Sequence, residues 1–138
     1  MAPLLKVACH TLIATLLLCG TAYAQQPKVD EELELQFNGH CRECHSFVKN
    51  DNRLGPSLYG VVGRKAGSVP GFNYSNSVKD SGIVWDEATL DKWITNPGAV
   101  IPDNNMAALF GGIDDAAIRA KIIAFLKQDT QMTTSAKK

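Results

Sequence analysis

Cys41-Arg42-Glu43-Cys44-His45 is the stretch on which the rest of the chain depends. It has the form C-x-x-C-H, two thiols and an imidazole held together by adjacency. Cysteines three residues apart on a helical turn share one face. Thiols so placed reach the two vinyl groups of one haem, and the next residue can turn its imidazole toward the iron. A bare C-x-x-C suits zinc, a redox disulfide or chance. The adjoining histidine narrows these toward a covalently held haem.

The surrounding chain sets bounds. Its 138 residues suit one domain. Met1 to Ala24 has one early charge, Lys6, then the apolar run Leu12-Ile13-Ala14-Thr15-Leu16-Leu17-Leu18, and ends in Ala22-Tyr23-Ala24. This predicts a secretory signal peptide over residues 1–24, cleaved after Ala24. The apolar run is short of the ~20 residues a membrane span needs, so a retained anchor is the weaker reading. Residues 25–30 read as a linker, 31–129 as the domain and 130–138 as a polar tail. Cys9 and Cys19 fall in the signal, leaving Cys41 and Cys44. Export would allow that pair to form a disulfide, whereas haem thioethers would use both sulfurs. Lipidation of Cys19 would tether the chain, but Leu18 stands where such signals want a small residue. The 14 Lys+Arg balance the 14 Asp+Glu, and losing Lys6 leaves a net of −1. That balance argues against nucleic acid and against a polybasic membrane surface.

Three helices are legible. Asp30 to Phe37 opens with acids, favoured at a helix N-terminus, and carries Leu33 and Phe37 one turn apart. It is expected to fray near Asn38-Gly39, and His40 reads as an exposed side chain rather than a ligand. Asp86 to Thr95 has an N-cap in Asp86, a buried face of Leu90, Trp93 and Ile94, and a stop at Pro97. The last helix starts near Asp114-Asp115, runs to about Gln128 and buries Ile118, Ile122, Phe125 and Leu126. Between the first two, Gly55 to Gly82 is too dense in Gly and Pro for regular structure. Its interleaved Leu58, Val61, Val62, Phe72 and Tyr74 predict an ordered loop packed on something flat and apolar, as a haem would be. No strand shows convincing alternation.

Several blocks now stand in order: Cys41-x-x-Cys44-His45; Gly55-Pro56-x-Leu58-x-Gly60; Gly63-Arg64-x-x-Gly67; Gly71-Phe72-x-Tyr74-Ser75; Gly82-x-x-Trp85; Leu90-x-x-Trp93-x-x-x-Pro97; Ile101-Pro102-x-x-x-Met106; and Arg119. From Phe37 to Leu126 the chain resembles class I cytochrome c, the His/Met type. The resemblance implies an all-α fold of three to five short helices, with long ordered loops wrapped around one haem c bound through Cys41 and Cys44. It implies His45 as proximal ligand, its other ring nitrogen bonded to the Pro56 carbonyl, and Met106 as distal ligand. Arg64, Tyr74 and Trp85 match the positions that partner buried propionates, and the Asn104 amide could add a donor. Departures are as specific. Leu33 stands where relatives carry a Gly at a helix crossing, and should widen or re-angle the contact with Phe125. Trp93 replaces a Tyr whose hydroxyl bonds the methionine sulfur. Gly98-Ala99-Val100 replaces a lysine-rich stretch, and the segment from Met106 to Arg119 is slightly longer.

An iron with both axial positions filled has none open for substrate. The resemblance therefore implies a soluble periplasmic one-electron carrier rather than an enzyme, and a monomer without stable membrane insertion. Its redox partners would be a quinol-cytochrome c oxidoreductase, periplasmic dehydrogenases and a terminal oxidase or reductase. Lys49, Arg53, Lys65, Lys79 and Lys92 are candidates for a steering patch, against a plain mixed surface. The competing function is a haem enzyme or sensor in which Met106 detaches to admit peroxide or a diatomic gas. A zinc or thiol-redox module leaves the Met, Trp and Gly-Pro blocks unexplained.

Overall fold

The computed structural model describes residues 27–135; the expected signal peptide lies outside the described residues. The helices are α1 (Pro27–His40), α2 (Asn76–Asp80), α3 (Glu87–Thr95), α4 (Pro97–Val100) and α5 (Ala116–Ser135), with one 3₁₀ turn at Met106–Ala108 before α5. The described residues contain no strand, only an isolated antiparallel bridge between Lys65 and Val84. The fold is all-α.

Helix limits reflect local chemistry. Pro27 opens α1 inside the stretch expected as linker; its fixed φ and missing N–H suit a first helical position. Asp86 caps α3, its carboxylate accepting from the Thr89 N–H at 2.7 Å. Asn96 then turns extended (φ −156°) before Pro97, as the proline demands, and α3 ends. The same proline starts α4, with the Asn96 side chain accepting from the Ala99 N–H. Asp115 caps α5 through the N–H groups of Ala117 and Ile118. Helix α5 runs past Gln128 to Ser135, into the segment expected as a tail; no Gly or Pro intervenes to stop it. Neither α2 nor α4 is legible as a helical period, since each is a single turn.

Helix α1 packs on α5, and α5 on α3. Phe37 is fully buried at the first contact, stacked on Phe125 at 4.6 Å and edge-on to Phe47 at 5.7 Å. Ile122 and Leu126 are equally enclosed. Each such side chain contributes about 1.5–3 kcal/mol by leaving water. Leu33 packs half-buried against this core, while the aromatic partners of Phe125 are Phe37 and Phe47. Arg119 pins the start of α5 to α3. It donates to Asp91 at 2.7 Å and to the carbonyls of Ile113 and Asp114 at 2.9 and 2.8 Å. The ion pairs Lys121–Glu32 and Lys127–Glu87 tie α5 to α1 and α3 at the surface, where each is worth under ~1 kcal/mol.

Candidate functional site

The chain does not leave α1 abruptly. The Cys41 N–H still bonds the Phe37 carbonyl at 2.8 Å, and Cys44 and His45 donate back to the Cys41 carbonyl. This extra turn sets both thiols and the imidazole on the inner side of the helix end. Cys41 and Cys44 are free, half-buried thiols. Burial pushes the Cys41 thiol up to about 12, and the neighbouring Cys44 adds to that. A Cys41 thiol that resists carrying charge suits an uncharged thioether.

His45 is held by the loop at Gly55-Pro56. Its Nδ1 lies 2.8 Å from the Pro56 carbonyl oxygen. Burial lowers the imidazole's proton affinity and the Arg64 charge works the same way, against the pull of that carbonyl. A neutral ring with Nδ1–H donating to Pro56 leaves the Nε2 lone pair free for a metal. The ring fits because residue 55 is glycine. A Cβ there would stand 2.3 Å from His45 Cε1. Gly55 cannot retreat, since its N–H donates to the Cys44 carbonyl at 2.7 Å and its own carbonyl accepts from the Arg53 N–H.

The Gly-rich loop supplies the opposite wall. Residues 63–66 pair with 83–85 through Gly63 N–H to Trp85 O, Trp85 N–H to Arg64 O and Ala66 N–H to Ile83 O. This pairing brings Arg64 and Trp85 to the same rim. The guanidinium donates to the carbonyls of Tyr59 (2.7 Å) and Ser57 (3.0 Å), yet faces no carboxylate among the described residues. Tyr74 stands near it, and burial raises the phenol above its ordinary value, against the pull of Arg64. Met106 arrives on a braced loop. The buried Asn104 donates to the Ile101 carbonyl at 2.7 Å and accepts from the Ala107 N–H at 2.8 Å, spanning the turn. The Ser77 hydroxyl ties the Asp103 carbonyl to α2. The Asn104 amide, which the resemblance offered as a further propionate donor, bonds the backbone that carries Met106 and also lines the cavity.

All these groups meet in one cavity of about 410 Å³. Cys41, Cys44, His45, Pro56, Arg64, Tyr74, Trp85 and Met106 all line it, so the structure brings together every site residue singled out from sequence. Sequence reasoning missed Leu54, Leu109 and Phe110, which also line it, and the role of Gly55. Only the Gly55-Pro56 pair beside the motif hinted at the latter. Trp93 lines the wall against Trp85, ring centroids 5.1 Å apart. Protein interiors leave few voids larger than a water, so an apolar cavity of this size requires a guest. Leu58, Val61, Val78, Leu90, Ile94, Ile122 and Leu126 offer a large flat ligand apolar walls. The Arg64 guanidinium, without an acidic partner, calls for a carboxylate on that ligand. Two thiols able to bond vinyl groups, beside an imidazole and a thioether that could hold an iron, suit a covalently attached porphyrin. These residues fit a haem.

No protein-family model matches the chain. Cytochrome c2 of Rhodomicrobium vannielii is 45% identical over 114 residues, covering 82% of this chain and 87% of that protein. The chain belongs to the class I cytochrome c family. Cytochrome c2 iso-2 of Magnetospirillum fulvum is 47% identical over 64% of this chain and 91% of its own length. Among solved structures, cytochrome cH from Methylobacterium extorquens superposes with a TM-score of 0.64 at 40% identity, covering 71% of this chain and 96% of that one. As a class I cytochrome c, the protein carries one haem c, bound covalently through Cys41 and Cys44, and transfers electrons rather than catalysing a reaction on a substrate. No helix among the described residues is long and apolar enough to cross a membrane.

Proposed function

We propose that the protein is a soluble periplasmic carrier of single electrons, in which His45 and Met106 would hold the haem iron. The observation that carries this reading is the convergence of both side chains, with both thiols, on one cavity. The haem supplies a one-electron Fe(III)/Fe(II) couple. The chain's residues do the rest. His45 is aimed by the Pro56 carbonyl and accommodated by Gly55. Met106 is presented by the Asn104 brace. Arg64, Tyr74 and Trp85 form the polar rim that would receive propionates, with Arg64 supplying the counter-charge. The apolar wall excludes water and so favours the less charged, reduced state of the site. An iron held by both residues would leave no site for substrate and would suit exchange of electrons with partner proteins in transient encounters. Partners of the expected chemistry are a quinol-cytochrome c oxidoreductase or periplasmic dehydrogenase as donor, and a terminal oxidase or reductase as acceptor. The C-terminal edge of residues 1–24, with its small-x-small end, supports export.

A potentiometric titration followed by absorption tests the ligand assignment. Wild type should give a single one-electron transition at a potential typical of a methionine-ligated haem. Met106→Ala should lower that potential and alter the oxidised spectrum. An unchanged potential in the variant would remove Met106 from the iron.

A further inference from the structure

Met106 sits in a stretch with few ties to the rest of the fold. Among the described residues, the hydrogen bonds of residues 102–112 stay within the stretch or run back to Ile101, with one exception. The exception is the Ser77 hydroxyl, which donates to the Asp103 carbonyl at 2.9 Å across 26 positions of chain. Neither residue lines the cavity, so this bond stands apart from whatever fills it. Asp103 is also the strained point of the stretch. Its φ is +58°, in the left-handed region that a Cβ disfavours and glycine occupies freely.

Ser77 is a fixed post. It lies in α2 next to the buried Val78, whose carbonyl accepts from the Ser81 hydroxyl at 2.9 Å. Helix α2 passes so close to Gly67 that a Cβ there would stand 2.9 Å from the Lys79 Cα. Counting hydrogens sets the direction of the bonds. A carbonyl cannot donate, so the single Ser77 hydroxyl hydrogen goes to Asp103. The Ser75 hydroxyl, 2.9 Å from that of Ser77, is then the donor between the two serines. Ser75 thereby keeps the Ser77 hydrogen aimed at the loop.

We infer that Ser77 is a positioning residue for Met106: its bond to Asp103 ties the methionine loop to α2 and sets how often that loop opens. The inference rests on the reading in which Met106 would hold the iron. The Asn104 brace and the Ser77 bond do different work. Asn104 bonds Ile101 and Ala107, both on the same run of chain, so its bonds travel with the loop when it moves. Ser77 belongs to another segment, so its bond must break before the loop can leave. Once it breaks, Asp103 is free to relax from its left-handed backbone, and the chain three positions before Met106 changes direction.

Imidazole added to the oxidised holoprotein tests this, because it reaches the iron only once Met106 has left. At saturating imidazole the rate of the spectral change becomes the rate of loop opening. Ser77→Ala should raise that plateau about threefold to tenfold, as the loss of one neutral hydrogen bond implies. Ser77→Thr keeps a hydroxyl and should return the plateau close to that of wild type. Ser68→Ala is the control. Its hydroxyl also donates to a carbonyl, that of Lys65 at 2.6 Å, but it touches nothing in residues 102–112. It should leave the opening rate unchanged, whatever it does to thermal unfolding. An unchanged plateau in Ser77→Ala would overturn the inference and leave the Met106 assignment standing. Equal acceleration by Ser68→Ala, or no recovery in Ser77→Thr, would reduce Ser77 to general stability and also overturn it. A wild-type rate that climbs with imidazole and never levels would show an open iron, and would sink the Met106 assignment together with the inference.

Discussion

Gly55→Ala isolates the geometry that aims His45. The added Cβ would sit 2.3 Å from Cε1, 2.6 Å from Nδ1 and 2.8 Å from Nε2 of the ring. Carbon atoms settle at about 3.5–4.0 Å, so the ring must retreat by roughly 1 Å or more. The backbone cannot absorb this, because Gly55 is bonded on both sides, to Cys44 at 2.7 Å and to Arg53 at 2.9 Å. The ring therefore loses its 2.8 Å contact with the Pro56 carbonyl. Overpacking costs about 1–3 kcal/mol and the lost hydrogen bond about 1 kcal/mol, so the variant should be destabilised by about 2–4 kcal/mol. In a domain of this size that lowers Tm by roughly 10–20 °C. The assay is thermal unfolding of the holoprotein, paired with a redox titration that should shift as the ring tilts. Gly39→Ala is the control. Nothing lies within 4 Å of its Cβ, and in α1 the change should stabilise by about 0.5–1 kcal/mol. A Gly55→Ala protein that unfolds within ~0.5 kcal/mol of wild type, at the same potential, would refute the packing argument.

The same geometry predicts other outcomes. Asn104→Ala should cost about 2–3 kcal/mol by removing the bonds to Ile101 and Ala107. It should also let the reduced protein bind carbon monoxide faster than wild type, as seen by flash photolysis. Arg119→Ala strands the Ile113 and Asp114 carbonyls and the Asp91 carboxylate; with Asp91 partly solvated, urea titration should show a loss of about 2–4 kcal/mol. Gly112→Ala should prevent accumulation of folded holoprotein. Gly112 sits at φ +94° and a Cβ would meet the Thr95 carbonyl oxygen at 2.0 Å. Bonds from the Thr89 hydroxyl and N–H hold the Asp86 carboxyl below its ordinary value. Its contribution to stability is therefore full above the ordinary carboxylate pKa of about 3.9, and fades as pH falls through the lowered folded value. Asp86→Ala should accordingly be less stable than wild type at neutral pH, with the gap closing in acid.

Legibility from sequence tracked the range of the physics. Asp86, Pro97 and the stripe Ile118–Ile122–Phe125–Leu126 act within one or two helical turns; the structure caps and stops α3 at the first two and buries the last three of the stripe, with Ile118 half-buried at its edge. The apolar side chains of the Gly-rich loop are readable as a group needing a flat partner; Leu58, Val61, Phe72 and Tyr74 line the cavity, while Val62 packs on the core instead. What could not be read depends on approach between distant segments. Gly55 is glycine because a ring ten positions earlier in the chain needs its space, not because of its own backbone angles. The pairing of 63–66 with 83–85 has no alternation to announce it, being only a bridge. The resemblance offers Asn104 as a donor into the cavity; its bonds to the Ile101 carbonyl and the Ala107 N–H, which brace the loop, have no local pattern to announce them.

If Met106 holds the haem iron together with His45, the reduced protein has no position open to a diatomic gas. Carbon monoxide added to the reduced wild-type holoprotein at neutral pH tests it most directly. The absorption spectrum should stay unchanged over minutes. Rapid conversion to the carbonyl spectrum would show an open iron and contradict it.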